Sequence, residues 1–178
     1  MDRAALIQQI DDATGRLLAT AGRLTDEEVR RPSLLPGWTR GHVLTHVARG
    51  GDALRNLLVW ARTGVETQAY ASREARDEAI EAGSGRPAAE HVKDIAGSAE
   101  AFRSEVAAMP EDSWEFTLRV PGIPDLPAEE VLLRRLVELE LHHADLGAGY
   151  LPSGWPSFFK ELALPEPMRS QREERLAW

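Results

Sequence analysis

PAEEVLLRRLVELELHHADLG, residues 127–147, is the most strongly patterned stretch of the chain. Pro127 suits the first turn of a helix, where its missing N–H is no loss, and Gly147 suits the end. Leu132, Leu133, Leu136, Leu139 and Leu141 make the segment apolar enough to be buried. Arg135, Glu138, His142 and Asp145 are separated by three, four and three residues, which places all four on one helix face. A buried glutamate and a buried histidine are costly unless they are paired or coordinate something. Glu-x-x-x-His on a helix aims two ligands at a common point, the arrangement helix bundles use to hold metals in their cores. The plainer reading of the same spacing is a half-buried hydrogen-bonded pair.

A partner for that face is offered by residues 40–62. Thr39 can cap a helix whose core side is Val43, Leu44, Val47, Ala53, Leu54, Leu57, Leu58 and Trp60. His42 and His46 lie four apart on it, and either one facing Glu138 and His142 completes a three-ligand site. His42 falls in the first turn, where a simple polar role is the plainer reading. Three protein ligands leave a tetrahedral metal one open position, as catalytic sites do. Gly50 and Gly51 weaken the middle of this helix by roughly 1 kcal/mol each relative to alanine, so they imply close packing or a bend.

The rest of the chain supplies more helices. Ala5, Leu6, Ile10, Ala13, Leu17, Leu18 and Ala21 recur at threes and fours over residues 2–24. Thr25 and Glu28 have capping-box spacing. RPSLLPGW, 31–38, reads as a loop. Ser72 caps a segment that stops at GSGRP, and a long helix over 87–109 places Val92, Ile95, Ala99, Phe102 and Val106 inward. WEFTLRVPGIPDLP, 114–127, is too rich in proline and glycine for helix, and its alternation points to a small strand pair near 114–120. A short helix near 156–162 precedes a charged tail. The expected fold is all-α, a four-helix bundle over 1–163 with a tail over 164–178. His91, in an acidic stretch, reads as inert and on the surface. His143 reads as solvent-facing or as a core hydrogen-bonder. Trp38, Trp60, Trp114 and Trp155 read as core.

Composition narrows the chemistry. The 178 residues suit one domain, at 43% hydrophobic and 28% charged. There is no cysteine, which excludes disulfides, thiolate metal sites and a cysteine nucleophile; any thiol must come from outside. The net charge of −8 and the lack of a basic run argue against nucleic acid. No signal-peptide pattern and no apolar run near ~20 residues is present, so a soluble cytoplasmic protein without membrane contact is expected.

Three segments together carry a resemblance. LPGWTRGHVLTHVARGGDAL (35–54), YASREARDEAIEAGSGRPAAE (70–90) and RRLVELELHHADLGAGY (134–150) are similar, in this order, to segments of mycothiol-dependent maleylpyruvate isomerases. Those enzymes belong to the DinB-like superfamily of metal-binding four-helix bundles. The resemblance implies a metal held by His46, Glu138 and His142, with His46 rather than His42 as the ligand from the second helix. It implies zinc, although nitrogen and oxygen ligands also suit nickel or iron. Arg135 and Asp145 would orient the ligands; the plainer role for Arg135 is an ion pair with Glu138.

The implied partners are a small-molecule substrate and a low-molecular-weight thiol, mycothiol. The implied reaction is addition of the thiolate to a cis double bond, rotation and elimination. Arg76 and Arg73 are the candidate groups for the substrate carboxylates, the plainer reading being a solvated face pairing with Glu78 and Asp77. Family isomerases carry a further, smaller C-terminal domain, and ALPEPMRSQREERLAW (163–178) does not resemble it. A mycothiol S-transferase and a non-catalytic metal-binding module are the competing readings. Monomer and homodimer are both open.

Overall fold

The structure, a computed structural model, describes residues 2–120 and 124–178. α1 (Arg3–Ala21) is capped by the Asp2 side chain, which accepts from the Ala5 N–H, and buries Leu6, Ile10, Ala13 and Leu17 along one stripe. α2 (Asp26–Val29) starts at Thr25 in the expected capping box with Glu28. α3 (Arg40–Thr63) is the longest helix, ended by Gly64 at a φ of 71°. α4 (Arg73–Ser84) is capped by Ser72, and α5 (Ala88–Ala108) follows at once.

Beyond a 3₁₀ turn at Glu111–Glu115, β1 (Thr117–Leu118) pairs antiparallel with β2 (Leu126–Pro127), Leu118 opposite Leu126. Residues 121–123 of the proline- and glycine-rich stretch 114–127 lie outside the described residues. α6 (Glu130–Asp145) is the central helix of the site, and α7 (Ser157–Glu161) and α8 (Met168–Leu176) close the chain.

α1, α6, α3 and α5 form the bundle, each packed against the next and α5 returning to α1. α4 lies against α3, and α8 against α6. Leu6, Leu17, Leu44, Leu58, Ile95, Leu132, Leu136 and Leu139 fill the interior. Among the described residues no helix is long and apolar enough to cross a membrane.

Three expectations change. Pro127 does not open α6: the Ala128 and Glu129 N–H groups donate to the carbonyls of Phe116 and Trp114, so this backbone is held by the preceding segment and the helix starts at Glu130. The stretch expected as a tail carries α8, with Met168 and Arg172 buried. Arg172 Nη1 donates to the carbonyls of Phe159 (2.7 Å) and Leu162 (2.8 Å), pinning α8 to the end of α7. His91 is buried rather than on the surface, in register with Ile95, Ser98 and Phe102 on the inner stripe of α5.

Candidate metal centre

α6 and α3 cross where both are interrupted by polar side chains. Nε2 of His46 lies 3.0 Å from Nε2 of His142 and 3.3 Å from Oε2 of Glu138. The third separation, His142 Nε2 to Glu138 Oε2, is 3.8 Å. The circle through these three atoms has a radius of about 2.0 Å, computed from the three separations. Zinc-to-nitrogen and zinc-to-carboxylate bonds are of that length, roughly 2.0–2.2 Å. Glu138 Oε2 is buried without a hydrogen-bond donor in good geometry, an arrangement that suits a cation between it and the two imidazoles.

The charges agree with that donor set. Burial would raise the Glu138 carboxyl, but His46, then His142 and Arg135, outweigh it and hold the group down at about 2. Burial pushes the His46 imidazole below its ordinary value, against the pull of Glu138, which favours the neutral form that ligates metals.

The candidate ligands are held from behind. His142 Nδ1 lies 2.8 Å from Oδ2 of Asp145, a fully buried carboxylate. Arg175 on α8 grips Asp145 with Nε on Oδ1 and Nη2 on Oδ2, both at 2.8 Å. The Trp38 ring meets His46 edge-on at 5.5 Å between centroids. Arg135 is fully buried and donates from Nη1 to the Val47 carbonyl on α3 at 2.9 Å. Its positive charge also helps to hold the Glu138 carboxyl ionised.

The paired glycines of α3 provide the room. A Cβ on Gly50 would stand 3.1 Å from Glu138 Oε2; one on Gly51 would stand 2.4 Å from Ser98 Oγ and 3.1 Å from the Arg135 guanidinium. α3 runs unbroken through both, and both serve close approach.

His46, Glu138 and His142 line a cavity of about 420 Å³, walled by Leu54, Leu57 and Val137 and edged by Arg76, Arg134 and Arg175. Arg76 reaches it from α4, with Nη2 3.4 Å from His46 Nδ1 and Nη1 on Asp77 at 2.6 Å. Tyr70 also lines it, its phenol pushed up to about 12 by burial and then by the Glu138 carboxylate. Arg73 does not reach this cavity; it borders an adjoining hollow that also touches Tyr70 and Arg76.

His42 lies apart from the ligands: Nδ1 sits 2.7 Å from Thr39 Oγ1 at the helix start, and Nε2 3.0 Å from Glu81. His143 points to the other side of α6, 2.8 Å from Thr20 Oγ1 and stacked on Tyr150. Trp114 and Trp155 are buried core, as read; Trp38 is half-buried beside the site instead. Arg134, Tyr70, Gln171 and Arg175 escaped the sequence reading. Of these only Arg134 carried a signal, one helical turn before Glu138 on the same face.

The mycothiol maleylpyruvate isomerase N-terminal domain model matches residues 10–147, which span His46, Glu138 and His142. The chain belongs to that family. Two solved structures of a mycothiol-dependent maleylpyruvate isomerase, one a histidine-to-alanine mutant, superpose with a TM-score of 0.83 at 31% and 30% identity. Each covers 88% of this chain, and the chain spans 65% of their length. The DinB-like helical bundle expected from the sequence is therefore the fold of this family member. No curated protein matches the sequence.

Proposed function

We propose that this family member is a metal-dependent, mycothiol-using enzyme that isomerises a maleylpyruvate-like unsaturated dicarboxylate from cis to trans. The observation that carries the reading is the convergence of His46, Glu138 and His142 on one point beside a cavity edged with arginine. Bound there, a divalent ion such as zinc would keep the cosubstrate thiol as thiolate at neutral pH.

The chain's own residues do the remainder. Leu54, Leu57 and Val137 exclude water from the carbon skeleton. Arg76 provides a fixed cation for a substrate carboxylate, and its planar fork suits two-point binding. The thiolate sulfur forms a bond to one alkene carbon while the π pair moves into the conjugated carbonyl as an enolate. The former double bond then turns freely. The enolate pair returns, the carbon–sulfur bond breaks, and the thiolate leaves with no net proton transfer. Tyr70, protonated throughout, can donate a hydrogen bond to the enolate oxygen.

The test combines metal analysis with product analysis. Purified protein is expected to hold about one zinc, and His46→Ala to lose it; undiminished zinc in that variant rejects the ligand set. With mycothiol and maleylpyruvate, fumarylpyruvate should accumulate while the thiol is recovered. A stable thioether in its place would make the enzyme an S-transferase. Absence of any turnover with zinc and thiol bound would make it a non-catalytic module.

A further inference from the structure

α8 was unremarkable in the sequence, yet it forms one wall of the metal cavity. Gln171 and Arg175 line that cavity together with the three ligands. Asp145 is fully buried at the end of α6, and its two oxygens accept from Arg175 and from His142. A buried carboxylate keeps its place only where its acceptor positions are filled. The imidazole of His142 therefore takes its orientation from a carboxylate that is itself fixed by a helix 30 residues further on. That helix has anchors of its own: Met168 in the core and Arg172 on the carbonyls of Phe159 and Leu162.

We propose that Arg175 is a positioning residue of the metal centre, and that docking of α8 and metal binding are linked. The chain Arg175–Asp145–His142 aims Nε2 of His142 at Nε2 of His46 and Oε2 of Glu138. Undocking α8 frees Asp145, lets the His142 ring turn, and opens one side of the cavity to water. By reciprocity, a cation held by the three ligands holds α8 in place. The inference rests on the metal reading above.

Zinc affinity, measured on the full chain by competition with a chromophoric chelator, is the test. Partners behind a ligating histidine are worth about 10–100-fold in affinity, so Arg175→Gln should weaken zinc binding by that factor. Arg172→Gln touches none of the site's residues and should weaken it as well, by loosening α8; it keeps the test open should Arg175→Gln fail to fold. Arg169→Gln, which loses only an exposed pair with Glu166, should bind as the wild type does. Zinc should also slow amide hydrogen exchange across 168–176 in the wild type. Wild-type affinity in both Arg175→Gln and Arg172→Gln, or exchange in α8 indifferent to zinc, overturns the linkage while leaving the metal site standing. A wild-type chain that takes up no zinc overturns both.

Discussion

Two neighbouring arginines of α4 separate what the sequence could and could not rank. Arg73 and Arg76 were joint candidates for the substrate carboxylates of the implied reaction; only Arg76 borders the cavity of His46, Glu138 and His142, and Arg73 faces the adjoining hollow. Arg76→Ala should therefore lower kcat/KM for a dicarboxylate by about 10²-fold, the size expected for losing a positioned charge contact in a sheltered site. Arg76→Lys should recover only part of it, since a point charge cannot reproduce the fork. Arg73→Ala should leave the rate within about twofold. Equal losses at both positions would move the substrate into the adjoining hollow.

The convergence of Glu138 and His142 was legible because helical geometry converts spacing into position: four residues along α6 bring both to one face. The choice of His46 over His42 came from the resemblance. In the structure His42 is committed to Thr39 and Glu81, while His46 meets Glu138 and His142. His91 was misread because its acidic neighbours masked the register it shares with Ile95, Ser98 and Phe102, a signal that was present in the spacing. Arg175 could not have been read at all, because nothing local in QREERL tells which arginine reaches Asp145.

At the level of elements, the site depends on how closely α3 can approach α5 and α6. Gly51 marks that limit. Gly51→Ala gains helix propensity of roughly 1 kcal/mol yet drives its new methyl against Ser98 Oγ and the Arg135 guanidinium. Ser98 Oγ is held at 2.7 Å by the Ala48 carbonyl, and Arg135 is fully enclosed, so neither moves freely. Overpacking of this kind costs about 1–3 kcal/mol, and the net effect should be a lower urea midpoint with an unchanged slope. A midpoint equal to or above that of the wild type would show that α3 and α6 have room to separate. The four bundle helices were readable because each has a continuous apolar stripe. α8 was not, since it buries the stems of arginines in place of leucines, and composition alone makes such a helix look like a solvated tail.

For the whole molecule, the proposed cation would share one free energy with the fold. The candidate ligands come from α3 and α6, and their supports from α8, so a metal bound at this crossing would tie three elements together. Zinc at about a hundred times its dissociation constant should add about 2.7 kcal/mol to the stability of the folded state. In a chain of this length that corresponds to a rise in Tm of about 5–10 °C, lost again on adding a chelator. His46→Ala should show the same Tm with and without zinc. A shift that persists in this variant would place the bound ion elsewhere.

His142 and His143 are consecutive, yet one faces the cavity and the other stacks on Tyr150 beside Thr20. Each residue of an α-helix turns the side chain by about 100°, so neighbours inevitably report to different surroundings. Slipping the chain by one position against a relative would still set histidine opposite histidine, while exchanging the imidazole that faces the cavity for one that only braces the interior. Identity of residue type is therefore uninformative at this pair, and the distinction lies in which side of the helix each ring occupies.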